Sequence, residues 1–347
     1  MSHSLPIPDF FTAESVGQVW RVPYEKRAVQ AQTWAKNHSI QSAQTDSPRL
    51  CLLAIDVQNT FCIPDFELFV GGQSGDGAVA DTQRLCEFVY RNLGQITEIV
   101  PTMDTHQAVQ IFHAAFWVDA DGQMPAPMTM VSLDDVVNGR WRVNPAIVSS
   151  VRMPLAQLEA FALHYVKRLS EDGKYPLTVW PYHSMLGGIG HSLVSAFEEA
   201  CFFHNLARQC QTRFELKGSY SLTENYSVLR PEVLDDPTGQ PVAAKNHKLI
   251  QHLLTFDAVA IAGQAKSHCV AWTIADLLSE IQQIDPALAH KIYLLEDCSS
   301  PVVVPDVVDF SEAAEAAYQR FAKAGMHIIQ STSPIESWLP RSGATLF

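Results

Sequence analysis

The chain has 347 residues, 47% of them hydrophobic, enough to bury one large α/β core or two small ones, which excludes a disordered or fibrous protein. A net charge of −13, with Lys and Arg scattered rather than gathered into a stripe, leaves no footprint for phosphate backbones or anionic lipid, so neither a nucleic-acid nor a membrane partner is expected. The opening MSHSLPIPDFFTAES does not read as a signal peptide, no stretch of about 18 uncharged apolar residues occurs, and seven irregularly spaced cysteines suit reduced thiols in a cytoplasmic protein better than a disulfide framework.

Residues 1–48 read as an N-terminal extension of mixed character ending in NHSIQSAQTDSPR. From Leu50 short apolar runs alternate with longer amphipathic ones, the pattern of strands and crossover helices in a mostly parallel sheet. Six strands are expected, at 50–56, 97–103, 177–180, 212–217, 258–263 and 291–296, with 326–330 a candidate seventh. Helices are expected near 79–92, 191–207, 243–256 and 270–281. The segment 117–175, with MPAPM, DDVVNGRW and EDGKYP, breaks the rhythm and reads as an insertion or lid. The main domain spans 49–335, followed by a tail at 336–347.

In an open parallel sheet, ligands bind at the carboxyl ends of the strands, where loops converge and helix N-termini point inward. The first strand ends at Asp56, in IDVQNTF, with no phosphate-binding glycine pattern after it. The second ends at Asp104, followed by His106 and His113, an oxygen and two imidazoles of the kind that binds zinc, iron or manganese. The third leads through WPYH, placing Trp180 and His183 at the same rim, and the fourth ends at Lys217 before Gly218. Taken singly, each has a bland reading: Asp56 as a turn cap, the histidines as loop residues, Trp180 as a core aromatic, Lys217 as a solvated charge.

The fifth strand runs into GQAKSHCV, where Ser267 is expected to cap a helix and Cys269 to lie in its first turn, favouring a thiolate. A cysteine there is more often a small buried hydrophobe, but Asp56 and Lys217 at neighbouring strand ends favour a nucleophile.

Five ordered motifs, IDVQNTF, TMDTH, VWPYH, LKG and GQAKSHCV, resemble those of the isochorismatase-like cysteine hydrolases, most closely the nicotinamidases. The resemblance implies a three-layer α/β/α fold and hydrolysis of a small carboxamide. It implies a catalytic triad of Asp56, Lys217 and Cys269, with backbone N–H groups of Ala265 and Cys269 as oxyanion hole. It further implies a cis peptide at Gln264–Ala265, Phe61 and Trp180 against a substrate ring, and a divalent metal on Asp104, His106 and His183. His113 would be an extra ligand or a group behind them. Thr60, Ser184 and Lys266 depart from the family pattern. A homo-oligomer is expected, since the family commonly assembles and the tail carries apolar residues. An N-carbamoyl amidohydrolase with the same triad, and a non-catalytic ligand-binding protein on this fold, remain alternatives.

Overall fold

The computed structural model describes residues 4–337. Residues 1–3 of the extension and 338–347 of the expected tail, including most of the segment on which oligomerisation was argued, lie outside the described residues. Six strands form the central sheet: β1 (Leu50–Ile55), β2 (Ile96–Asp104), β3 (Glu215–Lys217), β4 (Ala258–Gly263), β5 (Ile292–Leu295) and β6 (His327–Ile329). Their spatial order is β6-β5-β4-β1-β2-β3, and every recorded pairing between them is parallel.

The longer helices are α1 (Tyr24–Asn37), α2 (Gly77–Arg91), α3 (Leu155–Glu171), α4 (Ser195–Arg208), α5 (His247–Leu254), α6 (Ala271–Ile284) and α7 (Ser311–Lys323). Alternation along β1 builds the layers. Leu50, Leu52 and Ala54 pack with Leu85, Phe88 and Val89 of α2 and Phe197 and Phe203 of α4. Cys51, Leu53 and Ile55 face the other way, onto Leu249 of α5, Ile274 and Leu277 of α6 and Phe321 of α7. The result is the expected α/β/α sandwich.

One strand was misassigned. The apolar run at 177–180 does not enter the sheet: Leu177–Thr178 pairs antiparallel with Met130–Val131, and Val179 packs inside the inserted segment. The sixth place belongs to β6, the candidate seventh. Only Glu215–Lys217 of the run 212–217 joins the ladder.

The segment 117–175 has a packed interior. Leu158, Phe161, Ala162, Tyr165, Val166 and Leu169 of α3 are buried at helical spacing, and with Trp117, Trp141 and Val143 they form an apolar cluster of their own. The extension folds back on α4, where Arg27 of α1 meets Glu199 at 2.7 Å and the Trp20 N–H donates to Ser195 Oγ at 2.9 Å.

Strand order reverses between β1 and β4, because the chain runs outward through β2 and β3 before crossing back to β4. The crevice therefore opens at the ends of β1 and β4. Their register pairs Ile55 with Gly263. Gly263 has φ +116, and a Cβ there would lie 2.0 Å from the Ile55 carbonyl oxygen, so only glycine lets the two strand ends come this close.

Candidate active site

Asp56 emerges from β1 with φ +49, its N–H donating to Thr102 Oγ1 at 3.0 Å, while the same hydroxyl donates back to its carboxylate. Lys217 ends β3 as the register partner of Asp104, so both side chains rise from one face of adjacent strands. Its Nζ lies 2.8 Å from Asp104 Oδ1, 3.0 Å from Asp56 Oδ2, 2.8 Å from the Asn225 carbonyl and 3.6 Å from Cys269 Sγ. Three side chains distant in sequence thus meet at one ammonium, and all are buried.

Cys269 does not sit as expected. Residues Lys266–Val270 form a π-helical turn ahead of α6, with Ala265 extended before it. Ser267 caps nothing; its hydroxyl accepts the Val302 N–H at 3.0 Å and lies 2.9 Å from His268 Nδ1. The Gln264–Ala265 peptide is cis. Gln264 N–H donates to the Ile55 carbonyl at 2.8 Å and Lys266 N–H to the Ser300 carbonyl at 2.8 Å. Ala265 lines the cavity, and among the described residues its N–H has no acceptor.

The electrostatics also depart from expectation. Burial raises the Cys269 thiol well above its usual value; Lys217 opposes this, but Asp56 and Asp104 reinforce it. Burial likewise pushes the Asp56 carboxyl up, against the pull of Lys217. Although burial works against its charge, Lys217 is held protonated by Asp104 and Asp56. These shifts run toward a neutral thiol beside an ammonium and away from a preformed thiolate.

Asp104, His106 and His183 are buried, with one ligand atom from each within 4.8 Å of the others. They fit a metal ion on their own hydrogen bonds. His183 Nδ1 lies 2.8 Å from the Pro181 carbonyl, which leaves Nε2 free for a ligand, and His106 Nδ1 lies 3.3 Å from the Gly218 carbonyl. Gln58 clamps the Asp104 backbone by donating to its carbonyl at 2.9 Å and accepting its N–H at 2.7 Å. His113 stands apart from the three. Its ring centroid is 5.8 Å from that of His106, and neither ring nitrogen has a hydrogen-bond partner among the described residues. Burial, with the two neighbouring imidazoles, pushes it down to about 3.

Trp180 and His183 lie on the loop after Leu177–Thr178, which pairs with the inserted segment, rather than at the end of a sheet strand. The Trp180 N–H donates to the Phe112 carbonyl at 2.9 Å and the His106 N–H to the Ser184 carbonyl at 3.0 Å, which lays this loop beside the one after β2. Phe61, Trp180, Lys217, Cys269, Ala265, Asp104 and His183 share one cavity of about 40 Å³. That is room for one compact molecule.

The same cavity is lined by Glu224, Asn225, Tyr226 and His268, none singled out from the sequence. Glu224 and Tyr226 lie on an irregular loop with no periodic signal, whereas His268 was adjacent to Cys269 in a quoted motif. Burial and the nearby Asp104 carboxylate push Glu224 up to about 8. Two of the three departures from the family pattern point elsewhere, Thr60 donating to Glu67 at 3.0 Å and Lys266 reaching Glu296 at 3.3 Å, whereas Ser184 stays beside the site, its carbonyl accepting the His106 N–H.

No family model and no curated protein matches the chain. Solved structures do. A nicotinamidase/pyrazinamidase of Acinetobacter baumanii is 19% identical with a TM-score of 0.48, over 82% of this chain and 97% of that one. The yeast nicotinamidase is 17% identical with a TM-score of 0.48, over 81% and 99%. An isochorismatase-like hydrolase from Alkaliphilus metalliredigens is 13% identical with a TM-score of 0.43, over 85% and 98%.

Proposed function

We propose that this protein hydrolyses a small carboxamide to a carboxylic acid and ammonia through a thioester on Cys269, as nicotinamidases of the isochorismatase-like family do. The observation that carries the reading is the convergence of Asp56 with Lys217 and Cys269, the last two lining the cavity, with Lys217 Nζ 3.0 Å from the carboxylate and 3.6 Å from the sulfur.

Because the thiol rests protonated, its proton leaves during attack. Asp56 takes it as sulfur bonds to the amide carbon, and Lys217 stabilises the negative charge that develops on sulfur as its proton leaves. The carbonyl oxygen becomes an oxyanion, for which the free Ala265 N–H and that of Cys269 are the donors; losing one such donor costs about 3 kcal/mol of transition-state stabilisation. The C–N bond breaks as Asp56 returns the proton to the departing ammonia. Water, deprotonated by Asp56, then opens the thioester and restores the thiol.

Phe61 and Trp180 hold the substrate's apolar ring. Asp104, His106 and His183 would hold a divalent ion, zinc, iron or manganese, which when bound supplies a Lewis-acid point to orient a substrate lone pair. Assembly into a homo-oligomer belongs to the same reading, and sedimentation checks it.

Ammonia release from nicotinamide, pyrazinamide and N-carbamoyl compounds tests the proposal. Wild type should turn over a ring carboxamide, and Cys269→Ala should release none while keeping its metal. Turnover of N-carbamoyl compounds alone would move the assignment to the carbamoyl branch. Turnover by the alanine variant would rule out the thiol mechanism.

A further inference from the structure

A buried carboxylate outside the cavity is tied to the backbone beside the nucleophile. Asp81, on α2, is 3% exposed and accepts a hydrogen bond from Gln264 Nε2 at 2.8 Å. The other end of that amide, Gln264 Oε1, accepts the Ser300 N–H at 3.3 Å, so the side chain is held at both ends. Arg84 Nη2 lies 2.7 Å from Asp81 Oδ1 and orients the carboxylate in turn. Ser300 also receives the Lys266 N–H, at 2.8 Å. The residues before and after Ala265 are therefore anchored, Gln264 by backbone and side chain and Lys266 by backbone. The Ala265 N–H between them is left without an acceptor, beside the cavity.

We propose that Asp81 is a positioning residue: through the Gln264 side chain it fixes the Gln264–Ala265 peptide so that the Ala265 N–H points at the oxygen of the group attacked by Cys269. Asp81 is absent from the cavity wall and acts only through Gln264. This rests on the hydrolase reading above, since it needs an oxyanion to form there. Removing the Asp81 acceptor leaves the Gln264 amide unpaired in a buried site, and the peptide it anchors is then free to tilt. A donor aimed at a developing charge is sensitive to such tilts, whereas ground-state binding elsewhere in the cavity is not.

The test uses the full chain as wild type, Asp81→Leu, Asp81→Asn, and Asp81→Leu with Gln264→Met. Two probes separate the roles. Pyridine-3-carbaldehyde adds the Cys269 thiol across its C=O: the S–C bond forms, the C–O π bond opens, and the thiol proton passes to the oxygen that the Ala265 N–H would meet. Nicotinate, whose carboxylate offers no electrophilic carbonyl to the thiol, is the probe for the same cavity without an adduct.

Asp81→Leu should weaken the aldehyde by about tenfold or more and lower kcat by a similar factor, with KM and nicotinate affinity within about threefold of wild type. Asp81→Asn keeps an acceptor for the Gln264 amide and should recover most of both. If Asp81→Leu fails to fold, the double variant, which replaces the buried polar pair by an apolar one, must show the same selective loss. Equal weakening of aldehyde and nicotinate, or no change in either, overturns the positioning role. If wild type neither hydrolyses an amide nor forms the aldehyde adduct, the hydrolase reading falls and this one with it. If wild type does both and the Asp81 variants match it, only the positioning role falls.

Discussion

Replacing Lys217 by methionine is the sharpest physical test of the site. The stem is kept and roughly the same volume is filled, so no cavity forms, but the ammonium at 3.0 Å from Asp56 and 2.8 Å from Asp104 disappears. Both carboxylates are buried, and breaking a buried pair by removing one partner costs about 3–5 kcal/mol. Against a total stability of about 5–15 kcal/mol, that is a large fraction. The loss should depend on pH with a definite sign. Asp56 already titrates above its ordinary value with Lys217 present, and removing the main opposing cause raises it further. A carboxyl whose folded pKa lies above its unfolded one favours folding when protonated, so the deficit is fullest above the folded pKa and is relieved as pH falls through it. Urea unfolding of metal-stripped wild type and Lys217→Met should therefore differ by about 3–5 kcal/mol near pH 8 and by clearly less near pH 5.5, with unchanged m. A difference under about 1 kcal/mol at the higher pH, or one that grows on acidification, would refute the idea that this ammonium holds two buried carboxylates together.

Three other outcomes follow from the geometry. Gly218 has φ +81, and a Cβ there would lie 2.8 Å from His106 Cε1 and 2.9 Å from Asp104 Oδ1, so Gly218→Ala should weaken metal binding about 10–100-fold in a chelator competition. Unchanged affinity would remove those two side chains from the ligand set. Alkylation of Cys269 by iodoacetamide, followed by mass spectrometry, should be slow at neutral pH and keep rising through pH 9, because burial raises the thiol; a plateau near neutrality would mean a resting thiolate. Phe161→Ala, in the cluster of the inserted segment, should cost about 3–5 kcal/mol in urea unfolding, and a loss under about 1 kcal/mol would mean that the segment is loosely packed.

The parts of the fold that repeat were legible, because apolar runs such as AVAIAG and the amphipathic stretch around Leu85, Phe88 and Val89 carry their period in the sequence. The run LTVW misled because a short apolar stretch looks the same whether it fills a sheet or the core of a small insertion. The helical spacing from Leu158 to Leu169 is masked by the turn-rich segments on either side. At the site, motif order led to Asp56, Lys217 and Cys269, which the fold does bring together. The Ser267 hydroxyl is not free to cap the helix because it accepts the Val302 N–H across 35 residues, a tertiary contact with no local signal. Nor could Glu224 be read, because its loop reaches the cavity by tertiary packing alone.

The neighbours of β1 carry a consequence for how the chain is made. One edge of Leu50–Ile55 is covered once β2 emerges, but the other waits for β4, about two hundred residues later. At about 5–20 residues per second, a strand of six apolar residues keeps an open ladder edge for roughly 10–40 seconds of translation. Placing Asp56 and Cys269 at adjacent strand ends thus makes the nascent polypeptide sticky for much of its synthesis, and a holdase that shields that edge should raise the yield of native protein.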